Sequence, residues 1–186
     1  MLENRDFLKL FVTRLREIDV DTHLCKNVDE LYDNLKGLVE NVETPIPIVG
    51  NGTDYRRELI KKMLKDGLKF RIMVPDLLEP FSDIELSIGF PEYGLANTGT
   101  LVYKASSSIE EVSLYFPEKH ISIISKDRII YDLEDLEKLS VENILERGES
   151  LLLITGSSST ADIEGDIIRG VHGPRVLYVF VLEEAR

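Results

Sequence analysis

Helix-period and strand-period segments alternate along this chain, and that alternation limits the architecture more than any other feature. Phe7, Leu8, Phe11, Leu15 and Ile18 recur at helical spacing, and Val28, Leu31, Tyr32, Leu35, Leu38 and Val39 do so more regularly. Asn27 with Glu30 three residues on predicts a capping pair that opens this second helix. Val20 to Lys26 reads as a short connector between the two helices. Ile46 to Val49 is a brief apolar run, followed by the loop Gly50-Asn51-Gly52-Thr53-Asp54. A helix through Leu59, Ile60, Met63 and Leu64 then stops at Gly67, and Phe70 to Val74 reads as a strand. Strands and helices in turn favour a parallel sheet with helices on its faces.

The second half continues the theme. Ile84 to Phe90 alternates, and Thr100 to Lys104 is a strand, with Ala96-Asn97-Thr98-Gly99 in the bend of a hairpin or close pair. Ile121 to Ile124 and Arg128 to Tyr131 are further strands. Leu133, Leu136, Leu139, Ile144 and Leu145 share a helical face. Leu151 to Ile154 is a buried-type strand, Ile163, Ile167 and Ile168 fit one helix face, and Val176 to Leu182 closes the sheet. At 186 residues, without repeats or composition shifts, one α/β domain over 1–186 is expected, with a helical N-terminal segment over about 1–42.

Charge and cysteine count narrow the function. A net charge of −12 disfavours a broad nucleic-acid footprint, which needs surplus Lys and Arg. Cys25 is the one cysteine, so this chain alone holds no disulfide and no Cys-based iron–sulfur or zinc site. It reads as a small buried hydrophobe. His23, His120 and His172 lack metal-ligand spacing, so no metal is expected. No apolar run reaches membrane-helix length, and the charged N-terminus has no signal-peptide layout, so the cytoplasm is the default expectation. A homo-oligomer is compatible with this composition.

The sharpest chemical signal runs from Thr155 to Arg175. The strand Leu151–Ile154 enters Gly156-Ser157-Ser158-Ser159-Thr160, and a helix is expected to start there, with Ser159 and Asp162 at capping-box spacing. Free amides at a helix start favour carboxylate or phosphate, and such loops are expected beyond the carboxyl ends of sheet strands. Gly170 reads as the helix stop, and Gly173-Pro174 fixes His172 and Arg175 in a rigid bend. A guanidinium there can grip a carboxylate through two parallel hydrogen bonds, and an imidazole can shuttle a proton. The bland alternative is that Arg175 pairs with Asp162 or Glu164 and only fixes the loop. Gly50-Asn51-Gly52-Thr53 reads as a turn with an N-cap, because it matches no full phosphate-loop pattern.

Several segments resemble the LUD domain, and within it the lactate-utilisation protein C (LutC) group. They are Ala96-Asn97-Thr98-Gly99-Thr100-Leu101-Val102, His120-Ile121, Thr155-Gly156, Ser158, Thr160-Ala161-Asp162-Ile163-Glu164 and Gly170-Val171-His172-Gly173-Pro174-Arg175. The resemblance runs from about residue 84 to the C-terminus; the family's usual Gly-Pro-Ser-Arg-Thr reads Gly156-Ser157-Ser158-Ser159-Thr160 here. It implies a Rossmann-like three-layer α/β sandwich of the NagB/RpiA/CoA-transferase-like type with a mostly parallel sheet. It also implies a subunit of an L-lactate-oxidising system whose partners carry the iron–sulfur clusters, with no cofactor in this chain. The ligand, a small carboxylate or phosphate, is expected at Thr98, Gly99, Thr100, His120, Gly156, Ser158, Thr160, Asp162, Glu164, His172, Gly173 and Arg175. The alternatives are a stand-alone small-anion-binding or regulatory domain and a CoA-transferase- or sugar-phosphate-isomerase-like enzyme, where acyl transfer to CoA would need a nucleophile such as Glu164 or Glu92.

Overall fold

The computed structural model describes residues 4–50, 53–72, 84–138, 149–161, 167–170 and 172–184. Its centre is a six-stranded sheet in the order β3-β2-β4-β7-β12-β1. These strands are Asp21–Cys25 (β1), Ile46–Val49 (β2), Phe70–Ile72 (β3), Leu86–Gly89 (β4), Lys119–Ser125 (β7) and Val176–Leu182 (β12). Every pairing in this sheet is parallel. Val176–Leu182 lies inside the sheet, between β1 and β7, so it does not form an edge. Pro47 has no N–H to give, and the β2–β4 pairing starts one residue later at Ile48.

Two faces of this sheet are covered differently. Helices Val28–Val39 (α2) and Asp54–Lys65 (α3) bury Leu31, Leu35, Leu59 and Met63 against Ile46, Ile48, Ile88, Ile121 and Ile123. Helices Asn4–Glu17 (α1) and Ser108–Tyr115 (α4) cover the opposite face, where Phe11, Leu15 and Leu114 meet Ile124, Val179 and Val181. A second sheet joins that layer. It has the order β8-β5-β6-β9, from Tyr93–Leu95 (β5), Thr100–Ala105 (β6), Ile129–Ile130 (β8) and Ser150–Ile154 (β9). Its alternation sends Leu101 and Tyr103 into the core, while Leu95 and Val102 pack on Leu136 of the short helix Leu133–Glu137 (α5).

Local chemistry explains most boundaries. Asn27 Oδ1 accepts the Glu30 N–H at 3.0 Å, as the capping pair predicts, and Glu30 Oε2 reaches one residue further back, accepting the Lys26 N–H at 2.8 Å. Thr53 caps α3, and Gly67 ends it with φ +76°. Residues 96–99 form the expected bend, but the hairpin joins β5 to β6, because the preceding strand, β4, belongs to the central sheet. Cys25 is fully buried, as expected of a small hydrophobe.

Three readings change. The connector between the first two helices is strand β1, an edge strand that exposes Asp21 and Leu24 and so lacks an apolar alternation. Leu151–Ile154 is a partly exposed strand of the second sheet, with Leu153 48% exposed, and it runs antiparallel to β6. Ser159–Ala161 (β10) and Ile167–Arg169 (β11) form an antiparallel hairpin, where a helix was expected. Thr and Ile are β-branched and suit such pairing, and two isoleucines at helical spacing cannot outweigh it. Gly170, with φ +81°, therefore ends a strand and not a helix.

Candidate functional site

The expected site residues fall into three groups. The first lies inside the protein. Along β7, Ile121 and Ile123 face α2 and α3, so His120, Ser122 and Ile124 face the other way. His120 is fully buried. Its Nδ1 lies 2.7 Å from Ser87 Oγ and its Nε2 lies 2.9 Å from the Tyr103 hydroxyl. That hydroxyl also lies 2.5 Å from Ser122 Oγ. Each hydroxyl can donate or accept, so a neutral ring is satisfied in either tautomer. Burial pushes the imidazole down to about 3 and raises the Tyr103 phenol above its ordinary value. Space for the ring comes from Gly89, where a Cβ would stand 2.8 Å from both His120 Cε1 and Tyr103 Cε1. His120 is thus part of a sealed Ser87–His120–Tyr103–Ser122 network and does not line an open site.

The second group is a chain of hydroxyls. Thr98 and Thr100 Oγ1 are 2.7 Å apart, and Thr100 and Thr155 Oγ1 are also 2.7 Å apart. The bend of the β5–β6 hairpin is thereby tied to the end of β9. Gly99 takes φ +69°, which glycine adopts without strain, and a Cβ there would also press on Arg14 and Leu15. Gly156, at φ +76°, faces Ile18 beyond the end of α1.

The third group forms the outer turn. Ser158 organises it: its N–H donates to Pro174 O at 2.9 Å, its carbonyl accepts the Gly170 N–H at 2.8 Å, and its Oγ accepts the His172 N–H at 3.3 Å. Gly173 sits against Ser158 Cβ, where a Cβ of its own would approach to 3.1 Å. Arg175 N–H donates to Glu118 O at 2.8 Å, which fixes the turn to the start of β7. Gly170, Gly173 and Arg175 line a cleft of about 390 Å³ with Ile84, Phe116, Pro117 and Glu118. His172 and Arg175 are both exposed. Among the described residues no carboxylate pairs with the Arg175 side chain. Asp162 and Glu164, its suggested partners, lie outside the described residues, and so does the loop that would carry them. Thr160 is placed on β10, paired with Ile168.

The position of this turn corrects an expectation. The sequence, with Leu151–Ile154 as a buried-type strand, places it beyond the carboxyl ends of the sheet strands. That strand belongs to the second sheet, and the turn leads into β12 from its amino end, beside the starts of β4 and β7. With no helix at Ser159, helix-terminal amides play no part there.

The family comparison decides what kind of chain this is. The model of the LUD domain matches residues 8–182. The chain belongs to the LUD domain family. A lactate utilization protein C of Bacillus subtilis strain 168 is 33% identical over 100 residues, 52% of this chain and 42% of that protein. One from Bacillus mycoides is 37% identical over 103 residues, 52% of this chain and 43% of its own length. The chain therefore covers less than half of these curated relatives. A crystal structure of a DUF162 family protein from Deinococcus radiodurans matches with a TM-score of 0.68 over 98% of this chain and 99% of that one, at 18% identity, a likeness of fold. The LUD match embraces all three groups of residues.

Glu92 Oε2 lies 3.9 Å from Arg128 Nη1, so it stands beside a cation. Among the described residues no three metal-ligating side chains cluster, and no helix is long and apolar enough to cross a membrane. The sequence reading missed Ser87, Tyr103 and Ser122 as partners of His120. Their signal was present: a serine sits at one alternate position in Leu86-Ser87-Ile88 and in Ile121-Ser122-Ile123, on the face that should be apolar.

Proposed function

We propose that this LUD domain is the small-acid-binding, non-redox component of an L-lactate oxidation system. The carboxylate of a 2-hydroxy acid binds Arg175 in the cleft at the amino ends of β4, β7 and β12, with His172 beside it. The observation that carries this reading is the exposed Arg175 guanidinium, held at the cleft by a backbone pinned to Glu118 O, with no ion pair among the described residues. A planar guanidinium matches a carboxylate through two parallel hydrogen bonds. The names of the relatives supply the lactate context. Oxidising lactate to pyruvate breaks the C–H and O–H bonds of the carbinol and releases two electrons and two protons. One cysteine cannot hold a cysteine-ligated cluster; in the lactate system that the resemblance implies, the electrons go to iron–sulfur clusters on partner subunits.

The test compares wild type with Arg175→Ala and His172→Ala for L-lactate binding by calorimetry and for melting. Arg175→Ala should weaken binding about tenfold or more, on the scale of a lost charge-assisted pair, with little change in melting. Normal binding with early melting in both variants would return the turn to a purely structural role. Pull-down from the native extract should recover iron–sulfur proteins; a lone chain would contradict the subunit reading.

A further inference from the structure

At the opposite end of the sheet, strands β2 and β4 lie side by side, and their chains leave in opposite directions. From β2 the chain turns at Gly50 into α3, on the face that buries Leu59 and Met63. From β4 it passes through Phe90 into the second sheet on the other face. Ligands of open parallel sheets bind where adjacent strands part in this way, beyond their carboxyl ends. The two turns touch: Phe90 N–H donates to Val49 O at 3.0 Å, and a Cβ on Gly50, at φ +100°, would lie 2.4 Å from Phe90 O.

Arg56 stands at this point, in the first turn of α3. Its guanidinium carbon lies 5.7 Å from the centroid of the Phe90 ring. Its Nε is buried and has no hydrogen-bond partner among the described residues. Neighbouring charges are otherwise engaged. Asp54 holds Arg57 at 3.0 Å, Glu92 lies 3.9 Å from Arg128, and Glu110 accepts the Ser106 N–H at 2.6 Å. Burial pulls the Arg56 guanidinium below its ordinary value, and Glu110 opposes that pull from a distance. A partly desolvated cation at the positive end of a helix, with a buried N–H unpaired among the described residues, is unfavourable on three counts.

We propose that Arg56 anchors a second ligand site, for an oxyanion group, at the carboxyl ends of β2 and β4. Two coplanar oxygens would bond Nε and one Nη side-on, with the Phe90 ring behind the guanidinium. One binding event then fills the buried N–H, neutralises the cation and opposes the helix dipole. Two of the neighbouring charge pairs are internally balanced and Glu110 adds a negative charge, so a monoanionic carboxylate suits the site better than a phosphate dianion. The site is separate from the Arg175 cleft and does not depend on it.

The experiment follows the Arg56 Nε–H resonance of the full chain by nitrogen-15 NMR, assigned with Arg56→Gln. Acetate and inorganic phosphate are titrated separately at matched ionic strength, into wild type and Arg175→Ala. Acetate should shift the resonance saturably and equally in both proteins. A shift with phosphate alone overturns the carboxylate preference, and no saturable shift with either overturns the site. Melting without added anion is the second measurement: Arg56→Gln should melt at or above wild type, as expected when a ligand-binding strain is removed. A clearly lower melting temperature would mean that Arg56 is a structural residue.

Discussion

The buried imidazole makes the pH dependence of stability a sharp test of the core. His120 is held at about 3 in the folded protein, against an ordinary value of 6.5. The unfolded chain therefore takes up a proton across that window while the folded chain does not. Stability is complete above 6.5 and falls as pH drops towards 3. Linkage gives a loss of about 2 kcal/mol on going from about pH 8 to about pH 5. For a chain of this length that is a drop of about 4–8 °C in melting temperature. The depressed carboxyls of Asp66 and Asp135 add nothing in this interval, because their losses begin near or below their ordinary value of 3.8. The assay is urea unfolding at a series of pH values for wild type and His120→Gln, with the slope difference as the readout. Histidine ring resonances supply a second measurement that does not need the variant to fold: one of the three rings should stay neutral down to about pH 4. A ring set in which all three titrate near the ordinary value, or equal slopes in the two proteins, would refute the sealed network.

Two further substitutions probe the framework. Gly89→Ala drives a Cβ to within 2.8 Å of the His120 and Tyr103 rings, both fully buried, so overpacking should cost about 1–3 kcal/mol in urea unfolding. Thr155→Val removes one hydroxyl from the Thr98–Thr100–Thr155 chain; a loss of about 1 kcal/mol is expected, with the β5–β6 bend gaining faster amide exchange.

Where helical or strand spacing coincided with burial on one face, the sequence was readable. The α2 cap at Asn27, the α3 stop at Gly67 and the bend at residues 96–99 all follow from local chemistry. The failures have distinct physical causes. Strand β1 sits at an edge and needs no apolar alternation, so Asp21-Thr22-His23-Leu24-Cys25 gave no strand signal. The β10–β11 hairpin looked like a helix because Ile163, Ile167 and Ile168 fit helical spacing, and only the pairing of Ile167–Arg169 with Ser159–Ala161 decides otherwise. Placing the outer turn at the wrong end of the sheet came from not knowing which sheet Leu151–Ile154 joins, a property of register with β6, some fifty residues away. His120 was recognisable as a residue of interest, but its partners come from Ser87 and Tyr103 on two other strands, a juxtaposition created by folding alone.

That juxtaposition bears on how both candidate sites must be read. Ser87 and Gly89 lie on β4, His120 and Ser122 on β7, and the register sets Ser87 opposite His120 and Gly89 opposite Ser122. Phe90, the support for Arg56, directly follows β4, and Glu118, whose carbonyl pins Arg175, directly precedes β7. One buried polar network thus holds the two strands whose flanking residues, Phe90 and Glu118, support the arginines at opposite ends of the sheet. Hydrogen bonds in such a network are directional, so they fix the register of β4 against β7 more sharply than apolar packing alone. Any substitution inside the network should therefore disturb both ends together and lower the melting temperature. Arg175→Ala or Arg56→Gln should change one end only and leave the melting temperature at or above its starting value. Coupled loss points to packing, and separate loss points to contact with a ligand.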